Sequence, residues 1–252
     1  MIQHVGEAIV LRTWPFHEAD LLVSLFTREQ GKVKGVARHA MKSRRRFGGA
    51  LEPATHVLAH YTERPKQELV RLDSFEILWS PLSAPIDTLR LAGLQLVAEV
   101  LEEAMPEGAV EDNVFRLAMT VLEQGLGVRE QGLGKASGVW LGVTYFCLWM
   151  NRLMGWWPEV GHCAACGLDL WGGDVWWSPT ADGVTCADDR SPGSKRLSAE
   201  GVRESVRMGK VGLAELLQEE WPQERGADLR AFVVGVLERH LERRLRSAVG
   251  LV

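Results

Sequence analysis

Three cysteines and an aspartate in the second half of the chain have the types and spacing of a metal site. Cys163 and Cys166 are separated by two alanines and followed by Gly167, and nineteen residues then separate Cys166 from Cys186. The position that would complete a Cys-x₂-Cys…Cys-x₂-Cys pattern is Asp189. Thiolates are the usual ligands of structural zinc, and a carboxylate binds zinc at about 2.0–2.2 Å. We therefore predict a zinc site formed by Cys163, Cys166, Cys186 and Asp189.

The same segment admits other interpretations. His162 is a second candidate for the fourth ligand, and a loop that has lost a ligand would instead fold on its tryptophans and glycines. A zinc-ribbon transcription regulator would carry a helix that reads bases. A zinc hydrolase would use the three cysteines and keep the fourth position open for water. A redox role for the Cys-x-x-Cys pair is disfavoured, because no βαβ pattern surrounds it.

A second candidate site is the basic segment, which we define as residues 30–51. The chain has a formal net charge of −4, yet this segment holds no acidic residue. Such a concentration of cations suits a polyphosphate backbone, although a solvated charged loop would have the same composition. The predicted DNA-binding residues are Lys32, Lys34, Arg38, Lys42, Arg44, Arg45 and Arg46.

Short strand-like runs position the basic segment, and helices follow. Five runs of alternating or β-branched residues before Pro81 predict a five-stranded OB-fold barrel. After Pro81 the apolar residues recur at helical spacing, and the last helix is predicted over 228–248. The fold class is therefore α+β multidomain: an OB-fold at 1–80, a helical bundle at 81–160 and 194–252, and an inserted zinc-ribbon-like segment at 161–193.

Several classes of protein are disfavoured by the sequence. The longest apolar run, 138–150, is shorter than the roughly 20 residues needed to span a bilayer, so no membrane association is expected. The N-terminus lacks the pattern of a secretory signal, and few cysteines fit a reducing compartment, so we expect a cytoplasmic protein. Without a P-loop, HExxH, GxSxG or dinucleotide motif, neither catalytic residues nor a small-molecule substrate are predicted.

A series of short motifs in the first fifth of the chain has a recognisable order and spacing. The motifs are Ile9-Val10-Leu11-Arg12, Glu18-Ala19-Asp20, Leu25-Phe26-Thr27, Gly31-Lys32-Val33, Gly35-Val36-Ala37, Ser43-Arg44 and Leu51-Glu52-Pro53. With these motifs, the chain resembles the RecO family of bacterial recombination-mediator proteins. The remainder is similar in layout, with a Cys-x-x-Cys segment inserted among helices and a basic closing helix. The departure from the family is Asp189, at the position where zinc-bearing members have a fourth ligand.

The resemblance implies a non-enzymatic protein of recombinational DNA repair. Members of the family bind single- and double-stranded DNA and anneal complementary strands. With RecR, they help to load RecA onto DNA coated with single-strand binding protein. The expected partners are therefore DNA, RecR and single-strand binding protein, in the cytoplasm at the nucleoid.

Overall fold

The computed structural model describes residues 1–127 and 135–252, with the side chains of Arg44 and of residues 135–137 outside the described part. The chain divides into two units, Met1–Glu123 and Gln124–Val252. The first unit holds the barrel together with the two helices that follow it. The boundaries predicted from the sequence, at 80/81, 160/161 and 193/194, stay a prediction.

A five-stranded closed barrel forms most of the first unit, and the α+β fold class with an OB-fold is confirmed. The strand order is β1-β2-β3-β5-β4, and β4 pairs back with β1. All neighbours are antiparallel except β3 and β5. The strands are β1 (Ile2–Pro15), β2 (Leu21–Thr27), β3 (Gly31–Ala37), β4 (His56–Glu63) and β5 (Val70–Trp79).

Local features of two strands allow the barrel to close. A register shift between Val10 and Arg12 bends β1, which pairs with β4 along its first half and with β2 along its second. At the parallel pair, Gly35 lies opposite Val70. A Cβ on Gly35 would lie 2.7 Å from the Val70 side chain, so only glycine lets these two strands approach.

The basic segment is anchored to the barrel core through the short helix α1 (Arg44–Phe47). Phe47 is 2% exposed and meets Phe75 edge-on, with ring centroids 5.4 Å apart. Ala50 is also buried in this core. Burial of a phenylalanine contributes about 1.5–3 kcal/mol, which is enough to hold the backbone of α1 at a fixed place on the barrel surface.

Two helices complete the first unit, α2 (Thr88–Ala104) and α3 (Asp112–Thr120). The turn between them lies against the β2–β3 turn. Gly108 N donates to Lys32 O at 3.1 Å, and a Cβ on Gly31 would lie 2.2 Å from Ala109 O. Gly31 has φ 67°, so glycine meets both the conformational and the steric demand.

The second unit is mainly helical. Its central helix α4 (Lys135–Leu153) is buried on nearly all sides over residues 138–153, as its apolar composition predicts. Asn151 Nδ2 of this helix donates to Val233 O of α7 (Ala227–His240) at 2.9 Å. Helix α7 ends at His240, whereas the sequence predicted 228–248, because Glu242 adopts φ 53°. The elements are α4 (Lys135–Leu153), β6 (Val175–Trp177), β7 (Lys195–Leu197), α5 (Ala199–Met208), α6 (Leu213–Leu216) and α7 (Ala227–His240).

Within 1–127 and 135–252, no helix is both long and apolar enough to cross a bilayer.

Candidate metal centre and nucleic-acid interface

Local backbone turns bring the Cys-x-x-Cys pair and the later cysteine together. Gly167, at φ 74°, donates its N–H to Cys163 O at 2.9 Å and closes the first turn. The backbone of Ala164 then donates to Val184 O at 2.8 Å, which joins the first loop to the second. Each contact lies within a short stretch of chain, so the segment itself positions its ligands.

All four predicted metal ligands lie in one cluster. The ligand atoms of Cys163, Cys166, Cys186 and Asp189 are within 4.8 Å of one another. Asp189 Oδ2 accepts from the Sγ atoms of Cys163 and Cys186 at 3.3 and 3.2 Å. Zinc bonds of about 2.3 Å to sulfur place tetrahedral sulfur ligands about 3.8 Å apart, so the donor set fits the size of a four-coordinate ion.

Hydrogen bonds within the cluster shift the pKa values of its thiols and of its carboxylate. Backbone N–H groups, led by that of Cys166, point at Cys163 Sγ and lower the pKa of this thiol. Hydrogen bonds from the three thiols lower the pKa of Asp189, while the Asp189 carboxylate raises the pKa of Cys166 to about 12. Asp189 therefore carries a negative charge to which all three thiols donate hydrogen bonds. A divalent cation bound between these four side chains would complete the arrangement.

His162, the alternative fourth ligand, lies outside the cluster found among the described residues. Its side chain is exposed, and its Nδ1 is 3.9 Å from Glu159. The structure therefore favours Asp189 over His162 as the fourth ligand.

The basic segment does not present its seven cations as one set. Lys32 Nζ donates to Glu102 O at 2.6 Å, and Lys34 Nζ lies 2.8 Å from Glu107 Oε1. The hydrogen bond to Glu107 raises the pKa of Lys34, and its counterpart lowers the pKa of Glu107. These two lysines hold the C-terminal end of α2 and the turn that follows it against β3.

The other cations extend from the segment with fewer partners. Arg38, Lys42 and Arg45 are exposed, and none has an ion pair within the described part of the chain. Arg46 donates to Ser43 Oγ at 3.1 Å and to Arg38 O at 2.5 Å, so it braces the loop. The side chain of Arg44 lies outside the described residues. DNA binding by the seven residues stays a prediction.

Hydrogen bonds to the β1–β2 loop hold the basic segment in place. Asp20 Oδ1 accepts from the backbone N–H of His39 at 2.7 Å, and His39 has φ 54°. Met41 N donates to Ala19 O at 3.2 Å. Asp20 therefore serves as a structural acceptor that joins two loops.

Beside these loops lies a groove that sequence reasoning missed. It has a volume of about 480 Å³ and lies between the β1–β2 loop and the β4–β5 loop. Its cations come from three separate stretches of chain, so no single window of sequence is strongly basic. A signal was present in Arg64-Pro65-Lys66, a basic turn between two predicted strands. The polar and aromatic residues that line this groove include Phe16, Arg38, Arg64, Lys66, Glu68 and Arg71.

Comparisons with known proteins agree with this architecture. The model of the Recombination protein O N terminal family matches residues 1–81, and that of the Recombination protein O C terminal family matches residues 86–248. The DNA repair protein RecO of Koribacter versatilis is 48% identical over 240 residues, covering 95% of this chain and 94% of the relative. That of Anaeromyxobacter sp. (strain Fw109-5) is 34% identical over 243 residues, covering 95% and 91%.

Both halves of the chain are matched, and the relatives are covered over nearly their whole length. The chain therefore belongs to the RecO family of DNA repair proteins.

Proposed function

We propose that this protein binds the phosphate backbone of single- and double-stranded DNA through its basic segment. The observation that carries the proposal is the exposure of Arg38, Lys42 and Arg45 without ion pairs in the described part of the chain. Burial of Phe47 holds this segment on the barrel. Arginine and lysine contact phosphates without reading base sequence, so binding extends to all sequences.

Annealing of complementary strands follows from the same chemistry. Two strands pair faster when their phosphates are neutralised and their bases stay free, and exposed cations on a loop meet both conditions. The names of the relatives support a role in DNA repair. In that role the protein works without catalysis, in the cytoplasm at the nucleoid. It acts with RecR to load RecA onto DNA coated with single-strand binding protein.

Zinc is the metal that the cysteine cluster fits best. Three sulfurs and one carboxylate are donors that zinc accepts, whereas magnesium and calcium prefer oxygen alone. Cys163, Cys166, Cys186 and Asp189 would hold the ion. Its part would be structural, because bonds to the metal stabilise a segment with little core of its own.

Strand annealing by the full chain tests the proposal. The rate of annealing of two complementary oligonucleotides should rise with protein, require neither nucleotide nor added divalent metal, and fall steeply with salt. Three phosphate contacts on a single strand predict a slope of about −2 for log K against log[salt]. Dependence on ATP hydrolysis, or the appearance of a nuclease product, would contradict a non-catalytic mediator.

A further inference from the structure

We propose that the groove between the β1–β2 and β4–β5 loops binds single-stranded nucleic acid, with Phe16 stacking on a base. The inference rests on the proposed DNA-binding function and deepens it, because a base stacked on Phe16 is a contact that only an unpaired strand can make. The loops at these positions of an OB-fold flank the barrel face on which oligonucleotides bind, so the groove lies where the fold exposes a binding surface.

The charge of the groove fits a phosphate backbone. Arg38, Arg64 and Lys66 line it, and none of them has an ion pair in the part of the chain that the structure describes. Arg71 also lines it but lies 2.7 Å from Asp73, and Glu68 is the one carboxylate among the lining residues. Cations therefore dominate this surface although the whole chain is acidic.

Arg64 adds a second observation. Its Nε is buried and has no hydrogen-bond partner, although the side chain is only partly covered. A guanidinium donor without an acceptor is costly. A phosphate in the groove would accept charge-assisted hydrogen bonds from the other N–H groups of this guanidinium.

Phe16 offers an exposed aromatic ring on which a base of the nucleic acid can stack. Its side chain is 42% exposed, and it is the one aromatic among the exposed large hydrophobic residues of the first unit's described part. Phe16 N donates to Asp20 O at 3.1 Å, which fixes the loop, and its ring is 4.3 Å from that of His17. An exposed ring beside cations is the combination that binds single strands, since each base offers a face for stacking.

An exposed ring at Phe16 distinguishes single strands from duplex. In a duplex the bases are stacked on one another, so Phe16 has no free base face and only phosphate contacts remain. A single strand can place a base on Phe16 while its phosphates follow Arg64 and Lys66. Phe16 is thus a specificity-determining residue, whereas the cations serve both forms of DNA.

Binding measurements on the full chain with three matched probes test this assignment. The probes are an oligothymidine, an abasic strand of the same length, and a hairpin duplex, each followed by fluorescence anisotropy. Phe16→Ala should weaken oligothymidine binding about tenfold, as expected for the loss of one stacked base. Its affinity for the abasic strand and the duplex should equal that of the parent, and Phe16→Tyr should restore oligothymidine binding.

Control variants locate the effect. Met41→Ala removes an exposed apolar side chain of the basic segment, 61% exposed, that does not line the groove, and it should change no affinity. Lys66→Gln should weaken oligothymidine and abasic strand alike, while Lys210→Gln, an exposed lysine of the second unit, should weaken neither. Circular dichroism of each variant reports whether it is folded.

The outcomes distinguish this inference from the proposed function. Unchanged oligothymidine affinity in a folded Phe16→Ala protein, or an equal loss for all three probes, overturns the stacking role while DNA binding stands. Failure of the parent protein to bind any probe overturns both.

Discussion

The cysteine cluster and the basic segment differ in how far their chemistry is local. The four candidate metal ligands lie within one loop system, whose turns are closed by hydrogen bonds inside residues 161–189. The basic segment is contiguous in sequence, yet its cations divide between two tasks. Lys32 and Lys34 hold the end of α2 and the turn after it, whereas Arg38, Lys42 and Arg45 extend into solvent.

This difference shows when a sequence pattern is a dependable guide to a site. Ligand spacing is dictated by the geometry of the turns that it encodes, so the pattern and the cluster agree. A run of like charges carries no such geometry. The partner of each cation is selected by the tertiary fold, as when Lys32 meets a carbonyl 70 residues away.

The largest effect is expected from disruption of the metal cluster. Cys163→Ser should abolish metal binding and loosen residues 161–193 while the barrel stays folded, because the segment depends on its ligands. Structural zinc in finger peptides contributes about 10 kcal/mol or more to folding. Metal content by mass spectrometry and limited proteolysis of the segment report the two effects.

His162→Ala is the matched control for this prediction, since His162 lies next to Cys163 but outside the cluster. It should keep close to one equivalent of metal. Parent protein that is free of metal and fully stable would instead favour a loop that folds on its tryptophans and glycines. The cysteine cluster would then not be a metal site.

Gly31→Ala tests the packing that engages the two lysines. A methyl group there would meet Ala109 O at 2.2 Å, in a residue at φ 67°. Strain and overpacking together should lower the free energy of unfolding by about 2–4 kcal/mol, measured by urea denaturation. Gly108→Ala is the control: it has φ 72° but no neighbour within 4 Å, so it should lose only about 1 kcal/mol. Equal losses would mean that the turn does not pack tightly on the barrel.

Much of the fold could be predicted from the sequence because its signals are local. Alternation and β-branched runs located all five barrel strands, and apolar periodicity located α2, α3 and α4. The early start of β1 at Ile2 was missed, because polar residues there are held as a strand only by pairing with β4. The end of α7 at His240 depends on one left-handed residue, Glu242, which periodicity does not report.

The candidate sites also differ in whether their sequence signals are local. The four members of the cysteine cluster were predicted from spacing alone, including Asp189 in place of a cysteine; metal binding by them stays a prediction. The groove was missed since Phe16, Arg38 and Arg64 come from three loops that only the closed barrel brings together. Composition can detect a basic run, but it cannot show which of its cations stay exposed without an ion pair in the folded protein.

Neutralisation of the exposed cations should affect DNA binding without loss of stability. The triple variant Arg38→Gln, Lys42→Gln, Arg45→Gln should flatten the slope of log K against log[salt] by about 2 units on single strands. Its affinity should fall by about 2 kcal/mol for all base sequences alike, since phosphate contacts do not read bases. Salt titrations of fluorescence anisotropy measure both quantities. An unchanged slope would move the phosphate contacts to another surface.

The smallest effect is expected from Lys34→Gln. This variant tests most directly whether the cations of the basic segment divide between packing and DNA binding. Because Lys34 is engaged by Glu107, its loss should leave the salt slope of DNA binding near that of the parent and lower stability by about 0.5 kcal/mol. The pKa of Glu107 is held below its ordinary value of 4.5, so the pair stabilises above that pH and its contribution is lost as the pH falls through the lowered value. The stability difference between Lys34→Gln and the parent should therefore shrink in acid, as urea denaturation at neutral and acidic pH would show. A loss of salt slope as large as that of Lys42→Gln would mean that DNA displaces Glu107 and that the segment acts as one set after all.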